Sequence, residues 1–197
     1  MKALKIIVIT IGCVLAIAVV VIAVQSPESH IERSVVIHAS PGAVFPYFNN
    51  LHNFNEWSPW HSMDSAAVFS YEGPESGVGA KASWKSSDTR FGEGSQWILE
   101  SEENHRVKSG LLIAGRKGQF FTEVMLEPTD SGTKVIYAYY GDVSNTTMAN
   151  AAAGKFFNLF MSEMLGSRYD DGLKNLKALI ESRPAESAPL DSAAAQP

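Results

Sequence analysis

The spacing of apolar residues changes character along the chain. From Ile6 to Val24 it is continuous, an uncharged run of Ile, Val, Ala and Leu broken only by Thr10, Gly12 and Cys13. As a helix this run reaches about 28 Å, close to the apolar thickness of a bilayer, so residues 6–24 are expected to span a membrane. From His30 to Ala39 the residues alternate well enough for a strand, with Ile31, Val35 and Ile37 on one face. Ser40-Pro41 then supplies an N-cap and a first-turn proline, and Val44, Phe45, Tyr47 and Phe48 give a short helix its apolar side. A second short helix fits Leu51–Trp57, before Pro59. Between Val68 and Gly141, runs at 68–71, 79–85, 94–102, 105–113, 118–127 and 133–140 read as antiparallel strands. They are separated by turn signals at Gly73-Pro74, Ser87-Asp88, Gly92-Glu93-Gly94, Glu103-Asn104, Gly115–Gly118 and Pro128–Gly132. The period then lengthens. Phe157, Phe160, Met164 and Leu165, followed by Tyr169, Leu173, Leu176 and Ile180, mark one long amphipathic helix, expected to bend near Gly166. Gly172 inside it costs about 1 kcal/mol relative to alanine, which points to a close approach of a neighbouring backbone.

The order strand, two short helices, six strands, long helix predicts an α+β fold: a seven-stranded antiparallel curved sheet wrapped round one long C-terminal helix. Such a grip leaves a hollow between sheet and helix. The chain divides into a short N-terminus (1–5), the apolar helix (6–24), a linker (25–29), the globular domain (30–182) and a tail (183–197). The tail is mostly Ala, Pro and Ser and is expected to be disordered, because it has too little apolar surface to order itself. No internal repeat is present.

Charge sets the expected address. Lys2 and Lys5 precede the apolar run while Glu28 and Glu32 follow it, so the positive-inside rule keeps the N-terminus cytoplasmic and sends the domain across the membrane. A cleavable signal peptide ending near Val21-Ile22-Ala23 is the competing reading, and would leave the domain secreted or periplasmic. The run exceeds the ordinary length of a signal core, which favours the anchor. A lipoprotein reading of Cys13 fits worse, since the apolar run continues well past it. The 16 basic and 21 acidic residues give a net charge of -5, with no basic cluster that could follow a phosphate backbone, so nucleic acid is not expected as a partner. The single cysteine lies in the apolar run, which removes disulfides and thiol chemistry from the domain. At 45% hydrophobic content the chain has material for one packed core.

The domain resembles the START-like (SRPBCC) superfamily, and within it the polyketide cyclase/dehydrase and lipid-transport type. The resemblance runs from Ile31 to Glu181. It rests on E-R-S-V-V-I-H-A-S-P-G-A-V-F (Glu32–Phe45), W-S-P-W (Trp57–Trp60), G-V-G-A followed by S-W (Gly77–Trp84), and G-E-G-S-Q (Gly92–Gln96). E-P-T-D-S-G-T-K-V (Glu127–Val135) and G-L-K-N-L-K (Gly172–Lys177) complete it. Resemblance to this family implies a helix-grip fold with a deep cavity. It implies no single activity, since the family spans lipid carriers, hormone receptors and cyclases.

Phe45, Trp57, Trp60, Trp84, Trp97, Phe120, Val124, Val135, Tyr137, Tyr139, Phe157, Phe160 and Met164 are the residues expected to line such a cavity. Strand parity puts Val135, Tyr137 and Tyr139 on one face, and Phe120, Thr122, Val124 and Leu126 on one face of the preceding strand. The resemblance turns both faces inward. Glu123 shares the parity of Phe121 and Met125 and is expected outside. Of the titratable residues within reach of a cavity (His52, His61, Asp64, Glu123, Asp142), His61, directly after W-S-P-W, is the best catalytic candidate; a surface or capping role is the plainer reading. The histidines at 30, 38, 52, 61 and 105 show no ligand spacing, so no metal is expected. Gly77-Val78-Gly79 and Gly92-Glu93-Gly94 lead into strands and not helix N-termini, so they read as hairpin glycines and no cofactor is expected. Asn145-Thr146-Thr147 fits a glycosylation acceptor. The small, polar stretch 141–154 suggests a mobile lid.

These features support, first, a non-enzymatic domain that binds or transfers a hydrophobic small molecule or lipid beside a membrane. A second reading is a polyketide cyclase/dehydratase-like enzyme in which His61, Tyr137 or Tyr139 polarises a carbonyl. A third is a protein-interaction module using the tail or the rim around Trp57 and Trp60.

Overall fold

The computed structural model describes residues 2–64, 66–88 and 91–183, the side chains of Ser62, Phe157 and residues 159–162 falling outside that description. The apolar run forms helix α1 (Lys2–Val24), which begins earlier than its uncharged stretch and buries no residue. Strand β1 (Glu28–Ile37) follows directly, so the linker is shorter than expected. The first predicted short helix is two, α2 (Pro41–Val44) and α3 (Pro46–Asn49), joined at Phe45. Pro46 is the reason: without an N–H it cannot continue the helical ladder of α2. Helix α4 (Leu51–Trp57) is capped by Asn50, whose Oδ1 accepts from the His52 N–H at 2.8 Å. A 3₁₀ turn, His61–Met63, adds to the expected elements.

Strands β2 (Val68–Glu72), β3 (Lys81–Lys85), β4 (Glu93–Glu102), β5 (Arg106–Ile113), β6 (Gln119–Thr129) and β7 (Gly132–Asp142) complete one antiparallel sheet in the order β1-β7-β6-β5-β4-β3-β2. The first two strands in sequence therefore form its two edges, and α2–α4 carry the chain between them. Helix α5 (Met148–Glu181) crosses the concave face. It starts well before Phe157: Met148–Gly154, read above as part of a lid, is its first two turns, with Thr147 as N-cap and Gly154 against Val143. The tail beyond residue 183, expected to be disordered, lies outside the described residues.

Helix and sheet are clamped by apolar contact and by polar anchors along the C-terminal third of α5. Leu173 and Leu176 of α5 are buried with Ile37, Leu126 and Val135 of the sheet and Val44 of α2. Arg33 Nε of β1 donates to Asp170 Oδ2 at 3.2 Å, Lys177 Nζ to the Val36 carbonyl at 2.7 Å, and the His38 N–H to Glu181 Oε1 at 2.9 Å. The helix is unbroken at Gly166, where a side chain would strike the Arg33 guanidinium. At Gly172 the close neighbours are side chains, not backbone: an added Cβ would lie 2.9 Å from Pro59 Cδ and 3.2 Å from the Trp57 ring. On the convex face Glu123 sits outside, paired with Arg106, which also holds Glu100 and Glu102.

Candidate functional site: an apolar cavity under the long helix

Between α4, α5 and the concave face lies a cavity of about 180 Å³. Its walls come from several elements. Leu51, Phe54 and Ser58 of α4 and its cap, with Tyr169 and Leu165 of α5, form a buried floor, together with Thr122 of β6 and Tyr137 and Tyr139 of β7. Trp60, Phe69, Trp84, Phe91, Ile113 and Arg116 are half-buried, and Met164 is exposed.

The strand register shows where these open residues lie. Glu28 pairs with Asp142, and Asp142 with Gln119. Phe69 pairs with Trp84, Trp84 with Gly94, and Gly94 with Ile113. All sit at one end of the sheet, together with the turn that carries Arg116, so the mouth of the cavity is at that end. Helix α1 leaves from the same end, since Val24 stands just before Glu28, and Lys155 Nζ of α5 donates to the Ala23 carbonyl at 3.2 Å.

Of the residues expected to line a cavity, the structure brings Trp60, Trp84, Tyr137, Tyr139 and Met164 together around it. Phe45, Trp57, Phe120, Val124 and Val135 are buried in the packed core instead. Trp57 is held there by its own bonds: Nε1 donates to the Tyr47 carbonyl at 3.2 Å, and its ring meets Phe48 and Phe54 edge-on. Trp97 is on the convex face, lying over Gly110, because Gln96 and Ile98 take the inward positions of β4. The side chains of Phe157 and Phe160 lie outside the described residues. His61 is exposed on the 3₁₀ turn, its ring 5.1 Å from that of Phe69 and not in the wall. His52 stacks on Tyr71, while Asp64 and Asp142 accept hydrogen bonds from Ser86 and the Ser144 N–H. None of these joins the cavity.

The polar groups of the wall are few. Tyr137 stacks on Tyr169 with ring centres 4.2 Å apart and shares hydrogen bonds with Tyr169 and Thr122. Burial pushes the Tyr137 hydroxyl up to about 12, these bonds pulling against it. Burial likewise lifts Tyr139 to about 12, offset by the Arg116 charge and a hydrogen bond with Ser29. Tyr169 is raised further by burial and by Tyr137. All three hydroxyls keep their protons at neutral pH, which suits hydrogen bonding to a ligand and not proton transfer. Ser58 Oγ and Trp84 Nε1 are buried without a protein partner. Arg116 was passed over in the sequence because it stands in a turn marked by Gly115 and Gly118. Its position at a cavity depends on how that turn folds over the sheet end.

Two tests follow from these contacts. Because Tyr137 and Tyr139 ionise higher in the fold than in an unfolded chain, their contribution is whole below pH 10 and is lost as pH rises toward 12. Chemical denaturation should show level stability to about pH 9, then a loss of about 2–3 kcal/mol per tyrosine by pH 12. Tyr137→Phe should flatten that slope. The second concerns Gly94. A Cβ there would run into the Trp84 indole and lie 2.5 Å from the Leu112 carbonyl oxygen. Gly94→Ala should therefore displace Trp84 from the cavity wall and cost roughly 1–3 kcal/mol, seen as a shifted tryptophan emission and a lower Tm.

A family model described as polyketide cyclase / dehydrase and lipid transport matches residues 28–181. The chain belongs to this family. Its fold recurs in protein CV1439 of Chromobacterium violaceum, which is 19% identical, with a TM-score of 0.55 and coverage of 78% of this chain and 98% of that one. A Staphylococcus aureus protein, SA2116, is 12% identical at a TM-score of 0.54, covering 78% and 96%. The structure of Ara h 8.0201 is 10% identical at 0.52, covering 79% and 99%. At these identities the likeness is one of fold. A comparison with the curated proteins finds no match. Membership of the family fits an internal site for a hydrophobic ligand, and the apolar first helix is long enough to cross a membrane or to serve as a signal sequence.

Proposed function

We propose that the chain is a membrane-anchored binding domain that takes a small hydrophobic molecule from the bilayer into the cavity under α5, or returns it there. The observation that carries this reading is the shared sheet end: the mouth of the cavity and the root of α1 lie together, so an anchored domain presents its opening to the membrane. Lys2 and Lys5 before the helix favour a cytoplasmic N-terminus and a domain on the far side. The cavity's volume supports a small guest. A void of about 150 Å³ admits benzene, so 180 Å³ suits a compact ring or a short chain better than an intact two-chain lipid. Tyr137 and Tyr139 supply fixed donors that orient a carbonyl or hydroxyl of the guest.

The test uses the full chain in nanodiscs of neutral lipid and an ω-bromo-octanol, whose bromine quenches tryptophan on contact. Saturable quenching, reduced in Trp84→Phe and lost when Trp60→Phe is added, supports the reading, since these are the two indoles among the described residues of the wall. Quenching that rises linearly and equally in all three proteins would contradict it, since that is collision from the bilayer alone.

A further inference from the structure

We infer that the guest is acidic, its anionic head held by Arg116 at the mouth and its apolar body lying inward against Trp84 and Tyr137. This deepens the binding reading above and rests on it. Arg116 is the one charged side chain among the described residues of the cavity wall; no carboxylate lines it there. It is half-buried, and that burial weakens its hold on the proton while Tyr139 acts in the opposite direction. A guanidinium set at the edge of an apolar wall gains most from an anion that shares its desolvated position. The Tyr139 hydroxyl, which interacts with Arg116, keeps its proton and adds a second donor on that side. Trp84 Nε1, buried without a protein partner, adds a further donor and no acceptor. Asn55, Ser58, Gln96 and Thr122 add neutral groups that both donate and accept, so it is the charge of Arg116, alone among the described residues of the wall, that favours a carboxylate or phosphate head over an amine. Position gives the orientation. Arg116 follows Ile113 in the turn at the sheet end beside α1, while Tyr137 and Tyr169 close the interior. A bound acid would then keep its head toward the membrane interface and its tail in the protein.

Such a head could come from a free small acid or from an anionic lipid of the bilayer; the cavity's size favours the free acid. The experiment compares ω-bromo-octanoate with ω-bromo-octanol by tryptophan quenching, using the full chain in nanodiscs of neutral lipid. The acid should bind about tenfold more tightly than the alcohol, the scale of a charge-assisted hydrogen bond. Arg116→Gln should bring the ratio near one, and Arg116→Lys should keep most of it. The same preference in nanodiscs containing phosphatidylglycerol supports the free acid, whereas its loss only there would assign Arg116 to a lipid head and overturn the free-acid assignment. Equal binding of acid and alcohol by the wild type would overturn the inference and leave the binding reading standing. Equal weakening of both ligands in Arg116→Gln would also overturn it. Saturation by neither would remove the binding reading itself.

Discussion

Ala82→Leu should empty the cavity of its guest without loosening the fold. Ala82 lies on the inward face of β3 beside Trp84 and is buried in the cavity wall. The substitution replaces a methyl by an isobutyl group, pointed into space that the guest would occupy. Excluding two methylene groups of the guest removes about 1.6 kcal/mol of burial, so affinity for an apolar probe should fall at least roughly tenfold. Stability should move the other way. A side chain that fills a real void adds contacts, typically about 0.5–2 kcal/mol, and Tm should hold or rise by a few degrees. Calorimetry and probe titration on the same preparation check both halves. A fall in Tm of more than about 5 °C would mean that the wall has no room. That result would favour a solid interaction module over a binding domain.

Leu176→Ala should do the reverse, weakening the fold with no polar change. Leu176 has no exposed surface and is packed in the core that joins α5 to the sheet. Truncating a leucine in such a position costs about 2–5 kcal/mol, because removed contacts and the void left behind both count. For a domain of this size the loss corresponds to roughly 6–15 °C in Tm. Thermal unfolding followed by circular dichroism checks it. A change under about 2 °C would show that the grip of helix on sheet is not a packed interface.

The sheet was legible because β6 buries one face and β7, though buried on both faces from Val135 to Tyr139, keeps the same alternation of side chains. Phe120, Thr122, Val124 and Leu126 alternate with outward Phe121, Glu123 and Met125, and Val135, Tyr137 and Tyr139 follow the same parity. In β4 the rule misleads. Gln96 faces the cavity while Trp97 faces out, where the indole covers Gly110, so hydrophobicity points away from the true inner face. The beginning of α5 was hidden by its small residues, although alanine is the strongest helix former and Thr147 a good cap. Which aromatics line the hollow and which fill the core could not be read from period alone. Trp57 and Trp60 are neighbours in one motif, yet the turn at Ser58-Pro59 sends the first into the core and the second into the cavity wall. Arg116 depends on a contact between a turn and a sheet end that no local pattern encodes.

The most direct test of the central claim is native mass spectrometry of the full chain, taken from the organism that makes it into lipid nanodiscs. Release in the gas phase should leave a protein carrying one small adduct, lost on denaturation and absent from Ala82→Leu. A bare mass for the wild type, identical to that of Ala82→Leu, would contradict the account: the hollow under α5 would then be a packing feature and not a binding site.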